Sequence, residues 1–278
     1  MGSFRVVLAG ITMIPAYFIG RPLPAFGRAK QVRPRSFSRQ DLWTFMYLGF
    51  FGVVVNQMCF TIGLHYTSVS HAAVFVGMGP IYTLVLAVFL RLERATWHKA
   101  LGMAMALAGV AILAAENGIS ARSASLLGDA ITMSGAIGFA TYAVLGKKVV
   151  GRYDALTMTA FNHFAGALLV LPIAVHQAIG LASWVRSRRV PWNGWAALLY
   201  MAVFSSAVAY VLYYWLLRYL QASQLAAFTY LLPVLATVLG ILWLGERGSV
   251  LQILGGSLAL GGVYWVESGR EAEAARQL

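Results

Sequence analysis

The chain has 278 residues, 60% of them hydrophobic and only 11% charged, against roughly 25% charged in ordinary soluble domains. The 21 basic and 9 acidic residues crowd into short gaps between apolar runs, and many of those runs approach or exceed the about 18–20 residues that cross a bilayer core. This excludes a soluble domain and a disordered chain and predicts an all-α, polytopic helical membrane protein. The formal charge of +12 sits in loops rather than on one basic face, so it reports membrane orientation and no nucleic-acid partner. The single cysteine, Cys59, lies inside an apolar run, which rules out an intramolecular disulfide or a cysteine metal site.

Apolar stretches between charges predict nine spans, at 4–20, 42–64, 70–90, 98–115, 125–145, 156–179, 194–217, 223–244 and 250–266. Residues 1–20 do not read as a cleaved signal peptide: the positive charge follows the apolar run, Pro15 interrupts it and no A-x-A-like site appears. Placing 21–41 in the cytoplasm puts fifteen Lys and Arg on that side. Six remain outside: Arg5, Arg122, Arg186, Arg188, Arg189 and Arg247. The positive-inside rule then predicts an outer N-terminus and a cytoplasmic C-terminus. The basic stretch 21–41 orients the chain or touches anionic headgroups.

Sliding the chain by 153 positions aligns 47–113 with 200–266 without a gap, 19 of 67 positions being identical. The matches include Ser70/Ser223, Phe75/Phe228, Pro80/Pro233, Glu93/Glu246, Gly102/Gly255 and Gly109/Gly262. After a further four-residue shift Pro15 matches Pro172, which pairs helix 4–20 with 156–179. Helix 125–145 is left without a counterpart, a 4 + 5 arrangement. Tandem units of five helices must be inverted, the architecture of many secondary transporters. The expected units are 1–116 for the first repeat, 117–268 for the second, and a cytoplasmic tail at 269–278.

The segments L-L-P-V-L-A-T-V-L-G-I-L-W-L-G-E-R (231–247), N-Q-M-C-F-T-I-G-L-H-Y-T-S-V-S-H-A-A (56–73) and G-V-A-I-L (109–113) resemble the EamA branch of the drug/metabolite transporter superfamily, over about 4–268. The resemblance implies ten helices, both termini cytoplasmic, and transport of small metabolites or drugs, with export expected. Against that pattern the first helix is missing, and the expectation is a start upstream of Met1 or a nine-helix variant.

Polar side chains inside the bilayer face the bundle interior or a water-filled path. Asn56 and Gln57, in mid-helix 42–64, either contact a polar substrate or hydrogen-bond neighbouring helices. Gln57 falls opposite Tyr210 in the repeat. In helix 194–217, Ser206, Tyr210 and Tyr214 share a stripe at helical spacing and suit a cavity for amphipathic solutes; packing is the alternative. Pro80 and Pro233 predict helix kinks or hinges, with His71, Phe75, Phe228 and Tyr230 as gate or pocket positions nearby and Tyr142 as a further substrate-path candidate in 125–145. Asp129 either relays protons or caps its helix. Asn162 and His163 read as core packing. The stripes Gly102–Ala106–Gly109 and Gly255–Ala259–Gly262 predict close helix contacts.

No H-E-x-x-H or G-x-x-x-x-G-K-[ST] is present, so neither zinc-hydrolase chemistry nor ATP-driven pumping is signalled. No cofactor, metal or catalytic residue is expected. The reading is a multi-pass plasma-membrane secondary transporter using alternating access at a midplane cavity. Its partners are a small-molecule substrate and the lipid bilayer; monomer and homodimer both stand open. The alternative is a membrane-embedded enzyme, a lipid-handling scaffold or an inactive truncated transporter.

Overall fold

A computed structural model describes residues 2–20, 38–67, 69–116, 125–187, 192–244 and 249–275. The basic stretch 21–37, Arg122, Arg188, Arg189, Glu246 and Arg247 lie outside the described residues, as does the His71 side chain. Among the described residues there is no strand. The helices are α1 (Gly2–Gly20), α2 (Arg39–Gly49), α3 (Asn56–Tyr66), α4 (Val69–Gly77), α5 (Gly79–Phe89), α6 (Trp97–Glu116) and α7 (Leu126–Val149). They continue as α8 (Ala155–Ser187), α9 (Trp192–Tyr200), α10 (Ala209–Tyr219), α11 (Ala222–Ala227), α12 (Leu231–Leu244) and α13 (Val250–Ala275). Among the described residues seven helices are long and apolar enough to cross a membrane, and Ser3–Ile19 is a shorter apolar helix; α7, at the span expected for 125–145, is not one of the seven. Span ends agree with the sequence reading to within a few residues except at α8 and α13, which run on into polar sequence. In α13 the extension E-S-G-R-E-A-E-A-A is rich in good helix formers.

Helix starts carry the expected caps. Ser38 accepts from the Asp41 amide while the Asp41 carboxylate accepts from the Ser38 amide at 2.8 Å, a capping box. Asp154 accepts from the Thr157 amide at 2.7 Å at the start of α8. At the other end of a helix, Lys147 Nζ donates to the Leu217 carbonyl at 2.7 Å, satisfying a terminal acceptor of α10.

The chain divides into two compact units that each draw on both halves of the sequence. Unit 1 is Met1–Met58 with Leu145–Tyr219; unit 2 is Cys59–Val144 with Leu220–Leu278. In unit 1, α1 and α8 run antiparallel. Ser3 donates to Gln177 at 3.0 Å near one end, Gly10 meets Ala167 further along, and Met13 clusters with Ala160 beyond. A Cβ at Gly10 would lie 2.6 Å from that of Ala167, so glycine sets the approach. Two stretches of π-helix interrupt the spans, Phe50–Val55 between α2 and α3 and Met201–Val208 between α9 and α10. They end at equivalent positions of the repeat: the Asn56 amide bonds the Phe51 carbonyl, and the Ala209 amide bonds that of Phe204. Wide turns of this kind carry an extra residue and recur at functional sites. The first one packs on α8, where Gly49 abuts the Asn162 carbonyl and Gly166 abuts Val53.

In unit 2, α6 and α13 cross antiparallel through the predicted small-residue stripes. A Cβ at Gly102 would stand 2.7 Å from the Gly262 carbonyl oxygen, and one at Gly109 only 2.5 Å from that of Gly255. Backbones this close gain dispersion and Cα–H···O contacts that replace the missing hydrophobic drive in lipid. Leu84, Met103, Val110, Tyr230 and Val263 fill the core around the crossing.

Both prolines stand just after irregularities in their spans. At Met78 the regular α-helix is interrupted for one residue, although Met78 keeps helical backbone angles and its amide bonds the Val74 carbonyl at 3.0 Å; Pro80, in the first turn of α5, offers no N–H to the preceding turn. Pro233 is the third residue of α12, after a 3₁₀ turn at Phe228–Tyr230. Glu93 lies in the turn between α5 and α6. It accepts from Lys99 Nζ at 3.2 Å and from the Ser223 amide at 3.1 Å, tying the α5–α6 turn to the start of α11.

Candidate functional site

The π-helical turns deliver polar side chains into the interior of unit 1. Gln57, in the first turn of α3, is 6% exposed, and its Oε1 accepts from Arg5 Nη2 of α1 at 2.7 Å. Tyr210, in the first turn of α10, shares a hydrogen bond with the Gln57 side chain. The Tyr210 ring stands edge-on to the imidazole of His163, with centroids 4.7 Å apart at 87°. His163 is fully buried, and its Nδ1 lies 3.0 Å from the Thr159 carbonyl. Beside this group, Asn162 Nδ2 donates to the Tyr214 hydroxyl at 2.7 Å, both residues being inaccessible to solvent. Ser206, 2% exposed, belongs to the second π-helical turn. Asn56, half-buried, adjoins Gln57 where the first one ends.

Arg5, Gln57, Asn162, His163, Ser206, Tyr210 and Tyr214 thus gather in one unit. Arg5, counted in the sequence reading with the outer cations and not as a site residue, lies within α1 and its guanidinium donates to Gln57. Asn162 and His163, read as packing residues, carry side chains tied into the same cluster. A signal for Arg5 was present: the register that pairs Pro15 with Pro172 also sets Arg5 opposite Asn162.

The remaining candidates fall in unit 2. Tyr142 and Tyr230 are fully buried, Tyr142 against Phe139 and Tyr230 in the core near the α6–α13 crossing. Phe75 is half-buried on α4, and Phe228 is 37% exposed. Asp129 stands in the first turn of α7, where its carboxylate accepts from the Thr67 hydroxyl and favours the positive end of the helix dipole. Among the described residues no group of three or more His, Cys, Asp or Glu is placed to hold a metal.

A groove of about 720 Å³ on unit 1, lined by residues such as Phe4, Val7, Ile11, Trp195, Leu199 and Tyr200, is almost wholly apolar. It offers few of the hydrogen-bonding groups that orient a polar solute. The chemistry of the unit lies in the Arg5–Gln57–Tyr210–His163 group instead. That group offers one fixed positive charge, amide and phenol hydrogen bonds and two ring faces, a set suited to binding and releasing a small polar molecule.

The comparisons point the same way. An uncharacterized transporter of Archaeoglobus fulgidus is 28% identical over 228 residues, covering 82% of this chain and 78% of its own. A probable terminal-alkyne amino-acid exporter of Streptantibioticus cattleyicolor is 28% identical over 247 residues, covering 87% of this chain and 78% of its own. A solved crystal structure shares the fold at a TM-score of 0.71 and 17% identity, over 95% of this chain and 85% of that one. The EamA-like transporter family model matches residues 1–115 and again 126–268. The chain belongs to the EamA-like transporter family and is a multi-pass membrane transporter of small metabolites.

Proposed function

We propose that the protein is a plasma-membrane exporter working by alternating access, with its C-terminus in the cytoplasm. Its solute is held at Gln57, Tyr210 and Arg5, with Asn56, His163, Ser206 and Tyr214 around them. The observation that carries this reading is that two π-helical turns at equivalent repeat positions each hand a polar residue to one buried group. The name of the S. cattleyicolor relative supports export and an amino-acid-like solute. The family match to 1–115 and 126–268 and the antiparallel run of equivalent helices support two inverted repeats at 1–116 and 117–268. Within unit 2, Pro80 and Pro233 act as hinges, and Phe75, Tyr142, Phe228 and Tyr230 are further residues that meet the solute during transport. Asp129 holds α7 in place, and the chain carries no enzymatic activity.

Counterflow in proteoliposomes tests the proposal. Protein loaded with unlabelled amino acids should exchange at least one labelled counterpart, and Gln57→Ala should slow that exchange about tenfold or more. Absence of exchange for every amino acid, sugar and drug offered would overturn it.

A further inference from the structure

Arg5, in the apolar helix α1, holds a partly buried guanidinium with no carboxylate of unit 1 paired to it. Its Nη2 bonds a neutral amide oxygen at 2.7 Å, and its Nε is buried with no hydrogen-bond partner. The carboxylates of unit 1 are engaged elsewhere, Asp41 at the cap of α2 and Asp154 at the cap of α8. The ion pair seen among the described residues, Lys99 with Glu93, belongs to unit 2. Charges withdrawn from water are costly and normally pair, and a partly buried guanidinium without a carboxylate forgoes the bidentate pairing its planar fork suits.

Further unused capacity lies in the same group. His163 Nε2 and Asn162 Oδ1 are buried without partners, and Arg5 is close enough to His163 and Tyr210 for its charge to act on both. The repeat register matches Arg5 with Asn162, so the group carries charge in one half and only a neutral amide in the other. Such a site is electropositive on one side and aromatic on the other.

We propose that Arg5 is the anion-binding residue of the transport site and that the solute carries a carboxylate, which takes the guanidinium from Gln57 while its apolar part lies against Tyr210 and His163. The inference rests on the binding-site reading above. It also excludes a class: the charge that attracts a carboxylate repels lipophilic cations.

The protein, purified in dodecyl maltoside, is melted with about 10 mM benzoate, benzamide or benzylammonium, three rings that differ in the head group. Benzoate should raise the midpoint by about 2–4 °C and the other two should not. Arg5→Gln should weaken benzoate binding by about 10–100-fold, and Arg5→Lys should restore part of it. Gln57→Glu supplies a carboxylate to Arg5 from within the chain. It should raise the midpoint unaided and abolish the benzoate response, which decides the matter even if Arg5→Gln does not fold.

Equal shifts with benzamide, an unchanged benzoate response in Arg5→Gln, or normal benzoate binding by Gln57→Glu would each overturn the proposal. So would a shift from added phosphatidylglycerol that removes the benzoate effect, since a lipid headgroup would then be the occupant. Counterflow separates this proposal from the transporter reading. Exchange of neutral or cationic solutes with no benzoate response defeats the role of Arg5 alone. Benzoate binding without exchange of any solute defeats the transporter reading alone.

Discussion

Gln57 and Tyr210, 153 positions apart and equivalent in the repeat, share a hydrogen bond with each other. Each copy therefore contributes the same helix position to a single contact, with an amide from one and a phenol from the other. Arg5 extends the contact on the amide side and His163 on the phenol side. Removing either partner leaves the other with an unmet hydrogen bond, so the two losses are not independent. Gln57→Leu, Tyr210→Phe and the double variant should show a coupling of about 1 kcal/mol in kcat/KM for exchange, a value obtained from a double-mutant cycle.

The π-helical turn at Phe50–Val55 accommodates one residue more than an α-helical path, and its removal should leave the flanking register intact. Deleting Val54 is expected to preserve folding, with a melting midpoint equal to or above the parent, while exchange falls at least about tenfold. A deletion variant with full activity would separate the wide turn from function.

Glu93 and Lys99 are each 3% exposed and 3.2 Å apart. Breaking such a pair from one side strands the other charge and costs about 3–5 kcal/mol, whereas replacing both with apolar groups is often tolerated. Lys99→Met and Glu93→Leu should each lower the midpoint sharply, and the double variant should recover most of the loss. Melting of the three variants in one detergent checks this.

At the α6–α13 crossing, Gly109 faces the Gly255 carbonyl and the Ala259 amide, backbone atoms that cannot swing aside. Gly109→Ala should cost about 1–3 kcal/mol and Gly109→Leu more. Gly261, which would meet nothing within 4 Å, is the control: Gly261→Ala should be neutral or slightly stabilising through helix propensity. Equal effects at the two positions would contradict the crossing.

Much of this architecture is legible in the sequence because lipid imposes long apolar runs and the duplication marks equivalent positions. The duplication by itself matches Gly102, Ala106 and Gly109 with Gly255, Ala259 and Gly262. The π-helical turns leave no such mark, since Phe50–Val55 and Met201–Val208 look like ordinary apolar helix; their widening accompanies tertiary contacts such as Gly166 against Val53. Arg5 falls within the expected span 4–20, but nothing local to it shows that its side chain reaches Gln57, 52 positions away. The proline positions point to the irregular stretches of their spans, at Met78 and at Phe228–Tyr230.

At that same crossing Gly102 meets Gly262 while Gly109 meets Gly255, and in the repeat Gly102 is the counterpart of Gly255 as Gly109 is of Gly262. Position i of one copy touches position j of the other, and j touches i, which is the relation that defines an isologous dimer interface. The four glycines consequently form one joint constraint: a bulkier residue accepted on either helix demands a matching concession across the dyad, and the two halves cannot diverge there independently.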